Sequence, residues 1–183
     1  MEVSYYKEPW PHLIIDDVFE NLEETKNSLL SSEYTNMNKV PGGGWNYFNI
    51  QNVKIAKQLD FLHRSYGRFF KQFRKHTELY HQIDLKITKS AEAFKVHDEA
   101  INRVFVMTIY LDPLHDNGTI LFDASKNLKK IITWKPNRAF MFAPLTNVTW
   151  HAYGGYESHD RITLNSICSR KESDIVLDHQ FLR

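Results

Sequence analysis

Hydrophobic positions along this chain follow two periods, and the change between them comes near residue 84. From 52 to 80, Ile55, Leu59, Leu62, Tyr66, Phe69, Phe70 and Phe73 recur at three- and four-residue steps with Lys and Arg between them, which predicts an amphipathic helix packing its apolar stripe on a core. Upstream, HLIIDDVF at 12 to 19 reads as a short buried strand entering a turn, and Asn21 is placed to cap a helix across LEETKNSLLSS. Glu23 and Glu24 suit the first turn of that helix. Residues 36 to 50, NMNKVPGGGWNYFNI, carry a proline and three glycines in a row. They predict a loop without regular structure, able to fold over a site as a lid.

From 84 onward the period is two. IDLKITKS, AFKVH, VFVMTIYLD, GTILFD, KIITWK, RAFMFAP, VTWHAY and RITLNSICS are short runs rich in β-branched and aromatic residues. DEAIN, PLHDNG, ASKNL, KPN, PLTN and GGYESHD separate them as turns. So many short strands in so few residues predict a jelly-roll, and the helices that precede them predict an outer layer on one of its sheets. The expected class is α+β, with a double-stranded β-helix core. No repeat or linker divides the 183 residues, so one domain is expected over 1–183, helical to about 83 and jelly-roll from about 84 to 170.

Composition narrows the setting. A net charge of +1 predicts neither a nucleic-acid nor a membrane partner. No apolar run approaches the ~20 residues that span a bilayer, and MEVSYYKEPWPHL lacks the apolar core of a signal peptide. The single cysteine, Cys168, forbids an internal disulfide. A cytoplasmic protein is expected.

The candidate chemistry lies in two stretches. In FKVHDEAINR, His97 and Glu99 share a parity and would face the same way from an extended strand, with Asp98 turned from them. One more imidazole would complete a two-histidine, one-carboxylate set, which leaves coordination positions open on an Fe(II) ion. His151 in TWHAYGGYESHDR is the candidate, with Trp150 and Tyr153 placed to shield a metal and orient the ring. Arg161, ten residues later, shares a parity with Thr163 and Asn165. A planar guanidinium with a nearby hydroxyl suits a dicarboxylate such as 2-oxoglutarate, and Tyr110 could add a phenolic donor from a neighbouring strand. His115–Asp116 and His159–Asp160 fall in turn-like segments and read as surface pairs. His63, His76 and His81 lie on or beside the long helix and read as solvent-facing.

The order of these pieces resembles the catalytic core of the Fe(II)/2-oxoglutarate-dependent dioxygenases, in the prolyl-hydroxylase-like branch. The pieces are VHDE at 96–99, IYLD at 109–112, NGT at 117–119, KPNR at 135–138, TWH at 149–151 and RIT at 161–163, preceded by HLIIDDVFENL. The resemblance implies that His97, Glu99 and His151 are iron ligands. It further implies that Arg161, with Thr163 and Tyr110, holds the distal carboxylate of 2-oxoglutarate. The chain departs from the usual pattern at Glu99, where the family has aspartate, and at Thr163, where it has serine. The implied cofactors are Fe(II), 2-oxoglutarate and O2. The implied reaction hydroxylates an unactivated carbon of a peptide or small-molecule substrate, releasing succinate and CO2. Two other classes carry parts of the pattern. A metal-free jelly-roll binding or structural module leaves the grouping of His97, Glu99, His151 and Arg161 without a role. A cupin-type metalloenzyme has no need of the Arg-x-Thr row.

Overall fold

Asn21 does cap a helix: its side chain accepts from the backbone N–H of Glu24, and α1 runs Leu22–Leu30. Asn52 does the same for α2, Val53–Gly67, accepting from Lys54 and Ile55. The computed structural model describes residues 1–31, 37–39, 45–49, 52–70, 79–89, 94–154 and 159–170. Its strands are β1 Glu2–Tyr6, β2 His12–Asp16, β3 Met37–Lys39, β4 Trp45–Asn49, β5 Tyr80–Thr88, β6 Phe94–His97, β7 Arg103–Asp112, β8 Thr119–Phe122, β9 Leu128–Ile132, β10 Ala139–Phe142, β11 His151–Tyr153 and β12 Arg161–Ser169. The eight from β5 to β12 are the eight alternating runs of the sequence.

The twelve strands of the described residues form two antiparallel sheets. One has eight strands in the order β1-β2-β10-β7-β12-β5-β4-β3, the other four in the order β6-β11-β8-β9. Strand parity divides the apolar residues between two cores. Phe105, Met107, Ile109 and Leu111 of β7 join Leu13, Ile15, Leu164 and Cys168 against Leu29, Ile55, Leu59 and Leu62 of the helices. Val106 and Tyr110 point the other way, into a second core with Trp10, Leu121, Ile132, Trp134, Phe140 and Phe142. The large sheet therefore has helices on one face and the small sheet on the other, as the α+β jelly-roll expectation requires.

Two motifs of the sequence meet in space. Arg138 of KPNR makes a bidentate pair with Asp16 at the end of HLIID, Nε to Oδ1 at 2.7 Å and Nη2 to Oδ2 at 2.8 Å. Asn137, at φ 67°, sits in the left-handed region that Asn tolerates, and its side-chain amide bonds both the N–H and the C=O of Phe19. The exit of β2 is thereby fixed to the turn before β10. Gly118 of NGT has a different reason: a Cβ there would overlap the Ile132 carbonyl, so only glycine lets β8 and β9 approach.

Two expectations are corrected. Within 36–50, residues 37–39 and 45–49 are strands. β3 pairs with β4, and β4 pairs with β5 to extend the large sheet. The proline and glycines fall between the two strands, where punctuation ends a strand without forbidding its neighbours. Residues 40–44, on which the lid expectation centres, lie outside the described residues. The helix expected over 52–80 ends at Gly67. Beyond it Phe70 turns back into the core, while Phe69 is exposed and stacks on Tyr5 with centroids 5.8 Å apart. Phe73 is outside the described residues. Among the described residues no helix is long and apolar enough to cross a membrane.

Candidate metal centre

Antiparallel pairing sets His97 of β6 directly opposite His151 of β11. Directly opposed residues share a face, so the two imidazoles lie side by side with centroids 4.2 Å apart. His97 ends its strand and His151 opens its own, so both sit at a strand end. Each ring donates Nδ1–H to the carbonyl two residues before it, His97 to Lys95 at 2.9 Å and His151 to Thr149 at 3.0 Å. A carbonyl only accepts, so each Nδ1 holds a proton. His97 Nε2 keeps its lone pair; His151 Nε2 faces Glu99, to which it can donate only when it carries a proton, one that metal binding would displace. The Nδ1–H tautomer is the one a metal needs, fixed by backbone on both rings.

Glu99 follows in the turn after β6, not on the strand itself. Its Oε1 stands 3.4 Å from His151 Nε2, and its Oε2 is bonded by Arg103 at the start of β7. One ligand atom from each of His97, Glu99 and His151 lies within 4.8 Å of the other two. Burial is the strongest influence on Glu99 and opposes its charge. The hydrogen bond from His151 and the positive field of Arg103 outweigh it, so the group falls to about 2. Burial, with His151 beside it, lowers His97 to about 4. Near neutral pH the cluster is an anionic carboxylate with a neutral imidazole at His97. Two imidazole nitrogens and one carboxylate are a donor set that fits Fe(II) and leaves positions for other ligands. Asp98 points elsewhere and accepts from the Asn147 backbone N–H at 2.8 Å. The shielding expected of Trp150 falls to Phe142, whose ring meets His151 edge-on at 5.2 Å. The Trp150 ring is capped by the Lys126 ammonium instead.

Register across the large sheet places Tyr110 of β7, Thr163 of β12 and Lys86 of β5 in one row, because Thr163 opposes both of the others. Arg161 opens β12 and is almost wholly buried, and its guanidinium lies 4.1 Å from the Tyr153 ring centre, 4.6 Å from Trp134 and 5.5 Å from Tyr110. Its Nη1 donates to the Asn117 carbonyl at 2.9 Å and stands 3.7 Å from Asp116 Oδ2. The Tyr110 hydroxyl bonds Thr119 Oγ1 at 2.6 Å, and Tyr153 bonds Thr88 at 3.0 Å. Burial lowers the Arg161 guanidinium from its ordinary value, against the opposing effect of Tyr110 and Asp116.

Lys86 was not singled out in the sequence. Burial and the charge of Arg161 pull it down to about 7, with Glu99 acting in the opposite sense. Its ammonium lies 5.1 Å from the Tyr153 ring centre, so Tyr153 has cations near it from two strands. The sequence carried a faint signal: Asp84, Lys86 and Thr88 are the polar parity of β5, and all three are buried. A polar parity normally faces water; here it faces the interior between the sheets. Trp134 and Arg103 carry no comparable signal in the sequence. Asp116 is a correction, since its side chain is 2 % exposed beside Arg161 rather than on the surface. His115 is exposed as expected, and Asp160 makes a surface pair with Lys89. His63 and His81 are also corrections: both bond the Ser166 hydroxyl, and His63 is 2 % exposed. The face of α2 that carries His63 turns toward the sheet. His76 lies outside the described residues.

No family model matches the sequence, and no curated protein matches it. Solved structures do. A Pseudomonas putida prolyl-4-hydroxylase superposes with a TM-score of 0.67 at 11 % identity, over 87 % of this chain and 92 % of that one. A prolyl hydroxylase from Trichoplax adhaerens, solved with a hypoxia inducible factor peptide fragment, gives 0.65 at 13 % identity over 91 % and 86 %. The viral collagen prolyl hydroxylase of Paramecium Bursaria Chlorella virus-1, solved as a 2OG complex, gives 0.60 at 16 % over 87 % and 96 %. The fold is that of the 2OG–Fe(II) oxygenases in their prolyl-hydroxylase-like form, and a His-x-Glu…His triad stands in it.

Proposed function

We propose that this chain is an Fe(II)- and 2-oxoglutarate-dependent dioxygenase that hydroxylates an unactivated carbon of a peptide, prolyl-type, or small-molecule substrate, releasing succinate and CO2. The observation that carries this reading is the convergence of His97, Glu99 and His151, with both imidazoles held by backbone carbonyls in the ligating tautomer. His97 and His151 would hold the iron through Nε2 and Glu99 through Oε1. Arg103 keeps the other carboxylate oxygen occupied and the side chain aimed. When bound, iron with 2-oxoglutarate and O2 supplies the oxidising power, and the protein supplies binding and orientation.

Arg161 would take the distal carboxylate of 2-oxoglutarate with its planar fork, replacing the longer contact to Asp116. Thr163 and Tyr110, on the same row of the sheet, would offer hydroxyls to that carboxylate. Lys86, in the same row as Thr163, would add a further cation when protonated, suited to the second negative charge of the cosubstrate. Trp134, Tyr153 and Phe142 keep water from the charged groups they cover, which strengthens each pair. A peptide or small molecule suits a chain whose net charge is +1 better than a nucleic acid does. The solved relative with a bound peptide supports the peptide arm.

The test is succinate release from 2-oxoglutarate with Fe(II) and O2, with and without prolyl peptides and small-molecule candidates. Release that needs both Fe(II) and 2-oxoglutarate, and rises with one class of substrate, is expected. Failure to bind either points to a metal-free jelly-roll module, and turnover indifferent to 2-oxoglutarate points to a cupin-type enzyme.

A further inference from the structure

A second set of metal-ligating side chains sits on the far face of the large sheet. Cys168 of β12 lies directly opposite His81 of β5, so the two side chains are neighbours on one face. Cys168 packs with Leu164 in the helix-side core, the face away from Arg161 and Thr163. From above, α2 lowers His63 onto the same spot, its ring centre 5.0 Å from that of His81. One ligand atom each from His63, His81 and Cys168 lies within 4.8 Å of the others.

The hydrogen bonds here are incomplete. His63 Nε2 and His81 Nε2 both meet the Ser166 hydroxyl, at 2.8 and 2.5 Å. One hydroxyl can donate to only one of them, so it accepts from the other. His63 Nδ1 is then left buried with no partner. Buried polar atoms are almost always paired, and an imidazole buried on one side of such a cluster lacks what would satisfy it. Burial also lowers both rings, His63 to about 3, so each is neutral and has a lone pair to give. His81 is only half-buried, which leaves a way in from solvent.

We propose that His63, His81 and Cys168 form a second metal site, for a borderline-soft divalent ion of the zinc class, with Ser166 or a water in the fourth position. Imidazole and thiolate together select such an ion, whereas the His97–Glu99–His151 cluster has an oxygen donor and no sulfur. The three residues come from α2, β5 and β12. A bound ion would therefore staple the helix to the middle of the sheet. Burial pushes the Cys168 thiol up to about 12, so coordination requires the metal itself to displace that proton to solvent as the metal–sulfur bond forms.

Cobalt(II) reads the sulfur directly, because a thiolate ligand produces a near-ultraviolet charge-transfer band that nitrogen and oxygen ligands do not. The chain would be titrated with Co(II) as wild type, as His151→Ala, which removes the other centre, and as Cys168→Ser. The expected result is the band in wild type and in His151→Ala, and its loss in Cys168→Ser. Zinc at a hundredfold excess over its Kd should raise the Tm of His151→Ala by about 5–10 °C, and that shift should vanish when Cys168→Ser is added. A folded wild type with no band, or an equal zinc shift with and without Cys168, overturns the site. Neither readout depends on oxygenase activity, so this proposal stands or falls apart from that one.

Discussion

Arg161 illustrates how much a single side chain can be read and how much it cannot. Its place at the head of a strand, two residues before a hydroxyl, was visible in RIT. Its surroundings were not: Trp134, Tyr153 and Asp116 reach it from other segments, and one of them had every sign of a surface residue. Truncating one partner of a buried charge pair costs about 2–5 kcal/mol, so Arg161→Ala should raise the 2-oxoglutarate requirement by about thirtyfold or more. The Fe(II) requirement should change little, because Arg161 is not in the His97–Glu99–His151 cluster. Steady-state titration of each separates the two, and an unchanged 2-oxoglutarate requirement would remove Arg161 from that role. Lys86 was missed for the reverse reason. A lysine in an alternating strand looks solvated, and only the register with Thr163 shows that it lies inside.

At the scale of elements, the alternation after residue 84 was legible because each strand has one apolar face and a turn signal at each end. The hairpin at 37–49 was not, because glycine and proline dominate its middle and β4 has meaning only as a neighbour of β5. The end of α2 was misplaced because the three- and four-residue steps continue past Gly67 into residues that pack without being helical. HLIIDD and KPNR were each seen as marks of family likeness; their shared purpose, the Asp16–Arg138 fork, needed the structure. The Arg138 bond leads the causes that hold the Asp16 carboxyl below its ordinary range. Hydrogen bonds to charged groups contribute about 1.5–3 kcal/mol, so Arg138→Ala should destabilise the chain by about that amount. Denaturant unfolding measures it: a lower midpoint with an unchanged m-value is expected. No loss would mean that the fork holds nothing the turn does not hold already.

The whole molecule stacks three layers: helices, large sheet, small sheet. The candidate active site lies between the sheets, and a second histidine cluster lies between the large sheet and α2. Such layering buries imidazoles. His12 is fully buried, donates to the Trp10 carbonyl, and falls to about 4 chiefly through burial. Its folded pKa is below the unfolded value of 6.5, so the unfolded chain binds that proton first. Stability from keeping His12 neutral is therefore complete above about 6.5 and declines as pH falls toward about 4. His63 acts in the same sense, reaching lower. The Tm should drop between pH 7.5 and pH 5.5, and His12→Gln, whose amide keeps a donor, should flatten that slope whatever it does to the Tm itself. An equal slope in both proteins would mean that His12 carries none of the dependence.

On the proposed reading, His97, His151 and Glu99 would hold an iron on one side of this fold while the buried Arg161 guanidinium would take the far end of a keto acid. Iron(II) chelated by a 2-oxo acid absorbs visible light by charge transfer, without turnover and without a known substrate. Anaerobic titration of the iron-loaded chain with 2-oxoglutarate should therefore give a saturable visible band, absent from His151→Ala and shifted to higher 2-oxoglutarate in Arg161→Ala. A wild-type chain that is folded and holds iron yet shows no such band, or a His151→Ala variant that keeps it, contradicts the assignment of the centre.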